Sequence, residues 1–266
     1  MSVTTRVESF RLKRPQEIDK MRVAGRILGA CLSEVAAAVK PGLTTLDLDK
    51  VAETFIRDHG AIPGFIGYNG FPNSICISVN DEVVHGIPGK RVLQEGDLVS
   101  LDCGVIIDGW WSDSGYSVAC GEASPEVLRL IDVTSQALER GIAMARPGNH
   151  ISDIGHAVQT FVEGEGFSVV RQFVGHGIGR DMHEPPQVPN YGRPGFGNVL
   201  KPGYVLAIEP MVNAGRPEVH IIDDQWTVVT DDRRLSSYAE HTVAVTEHGP
   251  EVLTRRPDER VEAGAA

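Results

Sequence analysis

Pro41-Gly42-Leu-Thr-Thr-Leu-Asp47-Leu-Asp-Lys-Val-Ala-Glu-Thr54-Phe55-Ile-Arg-Asp-His-Gly60 recurs 106 residues later as Pro147-Gly148 through Gly166. Six of the 20 aligned positions are identical: Pro41, Gly42, Asp47, Thr54, Phe55 and Gly60 meet Pro147, Gly148, Asp153, Thr160, Phe161 and Gly166. Leu48 and Ile56 fall on Ile154 and Val162, so the apolar face repeats as well. A second match follows at an offset of 107, Leu93-Gln-Glu-Gly96-Asp-Leu-Val-Ser-Leu-Asp102 over Leu200-Lys-Pro-Gly203-Tyr-Val-Leu-Ala-Ile-Glu209. Each copy closes an apolar stretch with an acid. A period this long is not that of a solenoid; it implies two similar half-domains.

Outward from the repeat, the periodicities agree. Pro15 suits a first helical position, and Ile18, Met21, Ala24, Leu28, Cys31 and Val35 form an apolar stripe that ends before Pro41-Gly42. Ser124-Pro125-Glu126 opens a comparable helix towards Pro147-Gly148. A second helix follows in each half, over 44–59 and 150–165. Strand patterns cover 75–79, 98–107, 110–119, 167–174, 204–209, 226–230 and 238–246. Helices and antiparallel strands given twice predict an α+β fold with an internal pseudo-two-fold and a cleft between the halves.

Composition fits such a domain. Of 266 residues, 41% are hydrophobic and 23% charged, enough to bury a core. The net charge of −11 argues against direct nucleic-acid specificity. Seven basic residues against three acids make residues 1–30 the one basic segment. A ribosome contact through Arg11, Lys13 and Arg14 is one reading of it, and a solvated helix face is the other. No apolar run approaches a membrane span, and no signal peptide opens the chain. Cys31, Cys76, Cys103 and Cys120 form no C-x-x-C pair, which suits reduced thiols in the cytoplasm. Monomer is the default state.

The strongest chemical signal is acids inside apolar strands. Leu98-Val-Ser-Leu-Asp102-Cys-Gly-Val-Ile-Ile107 places a carboxylate mid-strand, and Asp108-Gly109 signals a type I′ hairpin turn. With a two-residue turn Ile107 faces Trp110 and Gly104 faces Asp113, so Asp102 and Asp113 become diagonal neighbours on one face. Glu209 and Glu240 sit in equally apolar surroundings. Carboxylates this close, in a half-buried sheet, need cations or protons. Gly175-His176-Gly177-Ile178-Gly179 presents an imidazole after an apolar strand; His183-Glu184-Pro185-Pro186 and His85-Gly86-Ile87-Pro88 present two more. The other histidines read as ordinary core or surface residues, with His241 beside Glu240 placed to steady it. One imidazole with four carboxylates is a mixed N/O set suited to Mn, Fe, Co or Zn. Two divalent ions would neutralise four carboxylates and hold a hydroxide at neutral pH, the nucleophile of a two-metal hydrolysis.

These residues resemble the type I methionine aminopeptidases of the pita-bread metallopeptidase fold, from about Phe10 to Leu253. The match runs through Lys20-Met-Arg-Val-Ala-Gly25, Tyr68-Asn-Gly-Phe-Pro72, Ser74-Ile-Cys-Ile-Ser78, His85-Gly-Ile-Pro88, Gly175-His-Gly-Ile-Gly179, Ile208-Glu-Pro-Met-Val212 and Glu240-His-Thr242. The resemblance implies a dinuclear centre in which Asp102 holds one ion, His176 and Glu209 the other, and Asp113 and Glu240 bridge them. It implies Glu209 as proton shuttle, His85 and His183 as hydrogen-bond donors to the substrate, and a methionine pocket of Tyr68, Phe71, Cys76, Met182 and Trp226. The expected activity is removal of the initiator methionine from nascent polypeptide N-termini, with a small second residue preferred. The expected organisation is an N-terminal tail over 1–9, one catalytic domain over 10–253 with halves of about 10–121 and 122–253, and a C-terminal tail over 254–266. Met182 stands where the family more often has an aromatic, and residues 61–67 depart from its commonest pattern; neither change falls on an implied ligand. Two rival readings are a proline-specific aminopeptidase P or prolidase, and a pita-bread binding protein without catalysis.

Overall fold

The matched residues of the repeat do matched work. In the computed structural model, which describes residues 11–259, Thr44 caps helix α2 (Thr45–Asp58) by accepting the Asp47 N–H, while Asp47 returns its carboxylate to the Thr44 N–H. Asp153 accepts the His150 N–H in the same way at the start of helix α4 (Ile151–Gly164). The N–H of Gly42 donates to the Leu93 carbonyl and that of Gly148 to the Leu200 carbonyl, both at φ near 90°. Isolated bridges join Thr44 to Val92 and His150 to Val199. These pairs are the duplication seen as hydrogen bonds.

Each half contributes a longer helix before its capped one. Helix α1 (Pro15–Ala38) buries every residue of its expected stripe. Helix α3 (Pro125–Ala143) starts at Ser124, whose hydroxyl accepts the Val127 N–H. The central sheet is antiparallel throughout, in the order Ile62–Pro63, Leu98–Ile107, Trp110–Ala119, Ser236–Thr246, Val205–Ile208, Gly175–Gly177 and Glu184–Val188. Ile75–Val79 also pairs with Leu98–Ile107. The 110–119 and 236–246 strands sew the halves together.

The register sorts the sheet into two chemistries. Val99, Leu101, Cys103 and Val105 pack with α1 and α2 residues in one core, and Leu206, Ile208, Val243 and Val245 pack with Leu138 and Ile154 in another. Burying this back face is the main stabilising term. The alternate residues point the other way, and the acids are among them.

Three strand expectations are revised. Of 167–174 only Ser168–Val169 pairs as a strand, because the chain then turns Phe173 and Val174 into a cavity wall. Of 226–230 only Val228–Thr230 pairs, because the Asp224 carboxylate accepts the N–H groups of Trp226 and Thr227 and holds them in a turn. The 205–208 strand stops before Glu209-Pro210, since proline has no N–H for the ladder.

Packing continues beyond the expected end of the domain at 253. Thr254 is fully buried, its hydroxyl meeting His241 Nδ1 at 2.9 Å, and Glu259 Oε1 lies 3.0 Å from His241 Nε2. The expected tail over 1–9 and residues 260–266 lie outside the described residues. The basic segment is partly committed within the fold. Lys13 is buried against Glu184, while Arg11 and Arg14 both pair with Glu17.

Candidate metal centre and substrate pocket

Strand register alone brings the five suspected ligands to one face. Asp102 pairs with Gly115, and Gly104 with Asp113, which is the hairpin geometry expected from the Asp108-Gly109 turn. Gly115 pairs on its other side with Glu240. His241 pairs with Ile208, so continuing by one residue sets Glu240 level with Glu209. Ala207, two residues before Glu209, pairs with His176. Side chains two apart, or directly opposed, share a face. Asp102, Asp113, Glu240, Glu209 and His176 therefore all rise from the front of the sheet.

Their distances make one cluster. His176 Nε2 lies 3.8 Å from Asp113 Oδ2 and 3.5 Å from Glu209 Oε1. Ligand atoms of Asp113, His176 and Glu240 all fall within 4.8 Å of one another, and all three residues are buried. Among the described residues no Lys or Arg lines the cavity above them. Asp102 Oδ1, Asp113 Oδ1 and Glu240 Oε1 are buried without any hydrogen-bond partner. Three orphaned carboxylate oxygens on neighbouring residues of one sheet face are expensive unless a cation completes them.

The electrostatics agree. Burial pushes Asp113 up to about 7. Burial, with repulsion from neighbouring acids, holds Asp102, Glu209 and Glu240 well above the usual carboxylate range. His176 is pulled down to about 3, first by burial and then by the nearby His183. Its Nδ1 faces the Gly177 carbonyl at 2.8 Å, which can only accept, so Nδ1 carries the proton. The unprotonated Nε2 then faces the acids with a lone pair that could ligate a cation. Neighbours hold the cluster in place. The Tyr238 hydroxyl donates to Glu240 Oε2 at 2.6 Å, and Thr242 Oγ1 accepts the Asp113 N–H while donating to the Asp113 carbonyl.

The apolar end of the same cavity gathers the pocket residues. Phe71, Cys76 and Met182 form one buried cluster with Phe65, and Tyr68 and Trp226 pack against it. His85 and His183 line the same cavity. His85 takes φ 61°, a strained conformation for a non-glycine residue, and burial lowers it to about 4. His183 Nδ1 lies 2.7 Å from the Tyr68 hydroxyl, and its ring centre 4.2 Å from that of His176.

Phe65, Phe173, Met211 and Tyr238 also line the cavity and were not singled out in sequence. Tyr238 had a readable signal, two residues before Glu240 on the same strand face. Phe65 had none, since its ring lies over Gly104 across a loop. His241 lies on the back of the sheet, bonded to Thr254 and Glu259.

Residues 19–247 match the model of metallopeptidase family M24. The chain is 52% identical over 243 residues to methionine aminopeptidase 1 of Bacillus subtilis, covering 91% of this chain and 98% of that one. Its structure superposes on the crystal structure of methionine aminopeptidase from Thermotoga maritima with a TM-score of 0.92 at 42% identity, covering 93% of this chain and 100% of the other. An Xaa-Pro dipeptidase from Bacillus anthracis is similar in fold only, with a TM-score of 0.74 at 23% identity, and this chain spans 63% of its length. The duplicated α+β architecture is thus the pita-bread fold, and the chain belongs to metallopeptidase family M24, among its type I methionine aminopeptidases.

Proposed function

We propose that this protein removes methionine from protein N-termini by hydrolysing the first peptide bond, with divalent cations held by Asp102, Asp113, His176, Glu209 and Glu240. The observation that carries the reading is the set of three orphaned, buried carboxylate oxygens on Asp102, Asp113 and Glu240, the first two lining a cavity whose other walls are largely apolar. Two divalent ions of the Co, Mn, Fe or Zn class would neutralise four carboxylates. When bound, such ions supply an acidified water and a polarised carbonyl.

The protein groups do the rest. Tyr68, Phe71, Cys76, Met182 and Trp226 take the thioether side chain, with dispersion and sulfur–aromatic contacts. A side chain seated in this pocket would bring the substrate's free α-amine among the acids, which favours a chain terminus over an internal bond. Glu209, ionised when cations are bound, would accept a proton from water and pass it to the leaving nitrogen. With the Tyr68 hydroxyl 2.7 Å from Nδ1 as its donor, His183 would carry its proton on Nε2 and could donate it to the substrate carbonyl region. His85, neutral at physiological pH, is a second donor. A small second residue fits best, with the next part of the chain leaving past the two histidines.

The substrates are protein N-termini, nascent chains above all. A transient ribosome contact would fall to Arg11 and Arg14, whose side chains are 61% and 74% exposed, because Lys13 is buried. Reversing both charges and measuring ribosome co-sedimentation tests it; unchanged binding removes the idea. No described helix is long and apolar enough to cross a membrane. Four buried, unpaired thiols suit a reducing cytoplasm.

Release of methionine from Met-Ala-Ser, beside cleavage of Ala-Pro-Ala, with Mn or Co and then with chelator, tests the whole reading. Metal-dependent cleavage confined to Met-Ala-Ser is expected. A preference for Ala-Pro-Ala would move the pocket to the proline-specific relatives. Folded protein that binds no metal and cuts neither peptide would make this a binding protein.

A further inference from the structure

Lys13 belongs to a segment whose sequence reads as solvated, yet its side chain is 4% exposed. Its Nζ meets Glu184 Oε2 at 2.6 Å, across 171 residues of chain. The other oxygen of Glu184 accepts the N–H of Arg180 at 2.7 Å and of Asp181 at 3.2 Å. One carboxylate thus closes the 179–184 loop on itself and ties it to Lys13. A side chain at Gly179 would run into both Lys13 Cε and Glu184 Oε1, so the pair fills its space completely. Lys13 is itself fixed to the sheet. Its N–H donates to the Gly203 carbonyl, and the Gly203 N–H donates to Val245 in the 236–246 strand that carries Glu240.

The loop held in this way carries two cavity residues, Met182 and His183. Its other side leans on the acid-bearing hairpin. The Trp111 N–H donates to the Gly179 carbonyl at 2.8 Å, Arg180 donates to the Asp108 carbonyl at 2.9 Å, and its guanidinium lies 4.1 Å over the Trp110 ring. We propose that Lys13 and Glu184 are positioning residues, whose partly buried ion pair fixes the 179–184 loop so that His183 meets the substrate and Met182 walls the pocket. Neither residue touches substrate. The inference rests on His183 contacting the substrate, as proposed above.

The physical argument is one of leverage. A mostly buried carboxylate that loses its cation keeps a poorly compensated charge, and the loop relieves it by swinging Glu184, already 18% exposed, further towards water. His183 is the adjacent residue, so it moves with the swing. A misplacement of about 1 Å in a group acting on the reacting atoms costs on the order of 100-fold in rate.

The test uses the full-length, Mn-loaded enzyme and Met-Ala-Ser. Lys13→Met is expected to lower kcat/KM roughly 10- to 100-fold, mostly in kcat, with metal content unchanged. In a His183→Ala background the same substitution is expected to cost less than about twofold, because its route to the substrate is already gone. Glu184→Gln keeps an oxygen for the two loop N–H groups and loses the charge. It is the second variant should Lys13→Met fail to fold, and is expected to show the same dependence on His183. Equal losses in both backgrounds, or losses that follow metal content or thermal stability, would overturn the proposal. If His183→Ala alone leaves kcat/KM unchanged, the substrate role of His183 fails and this inference falls with it. A strong His183→Ala effect with additive Lys13→Met rejects the positioning role alone.

Discussion

Asp102 and Glu240 flank a single residue, Gly115, which pairs with the first across one strand boundary and with the second across the other. The acids therefore stand on either side of a position without a side chain. A Cβ on Gly115 would lie 2.6 Å from the Leu101 carbonyl oxygen and press on the Tyr238 ring, whose hydroxyl holds Glu240. The carbonyl is backbone and cannot step aside, so the sheet itself must shift. Gly115→Ala is expected to cost roughly 1–3 kcal/mol of stability and to weaken Mn binding at least about tenfold. Calorimetric titration with Mn checks it; unchanged affinity would mean that the spacing of Asp102 and Glu240 is not set by this strip.

The raised carboxyls predict an unusual pH dependence for chelated protein. A carboxyl whose folded pKa lies above its unfolded value keeps its proton in the native state after the unfolded chain has released it. Stability then falls as pH rises through that window. Asp113 at about 7, with Asp102, Glu209 and Glu240 also raised, acts in this sense. His85 at about 4 and His176 at about 3 act oppositely, adding stability as pH rises, but only up to their unfolded value of 6.5. Above pH 6.5 the acids act without that offset from these two histidines. Chelated enzyme is expected to melt at lower temperature as pH rises above about 6.5, and Mn-loaded enzyme is not. Asp102→Asn should flatten the chelated trend and abolish Mn binding. Parallel melting curves with and without Mn would contradict the charge picture.

Much of this was legible in the sequence because it depends on local chemistry. The capping aspartates Asp47 and Asp153, the Asp108-Gly109 turn and the alternation around Asp102 each act within a few residues, so their patterns survive without a structure. The turn alone predicts the diagonal of Asp102 and Asp113. What stayed hidden depends on meetings between distant segments. Phe65 reaches its place over Gly104 through loop packing, and Lys13 looks like surface until Glu184 arrives from 171 residues away. Strand ends failed where a side chain captured the backbone, as Asp224 captures Trp226 and Thr227.

The segment after Leu253 carries a stability prediction for the same reason. His241 is fully buried behind the sheet, held by Thr254 at Nδ1 and Glu259 at Nε2, and Arg255 pairs with both Glu139 and Glu259. Its neighbours on the strands, Glu240 and Thr242, belong to the front of the sheet or brace Asp113. Glu259→Ala removes one partner from a largely buried charge network and is expected to cost roughly 3 kcal/mol. Chemical denaturation measures the loss. A change below about 0.5 kcal/mol would return residues 254–259 to the status of a tail.

Met182 gives the sharpest test of the pocket. It is buried among Phe65, Phe71 and Cys76 and is not itself one of the five suspected ligands, so it can be changed without removing one. A flexible thioether at this wall adapts to the substrate's own thioether, whereas a rigid ring would fix the pocket's depth. Met182→Ala deletes the wall and leaves a space next to the bound side chain. Loss of three heavy atoms of contact is expected to lower kcat/KM for Met-Ala-Ser about 10- to 100-fold, chiefly through KM, with Mn content unchanged. The same space should admit a bulkier first residue, so cleavage of Phe-Ala-Ser relative to Met-Ala-Ser is expected to rise. If the ratio stays fixed while both rates fall together, Met182 acts by supporting the neighbouring His183 and the selective wall must be sought at Phe65, Phe71 and Trp226.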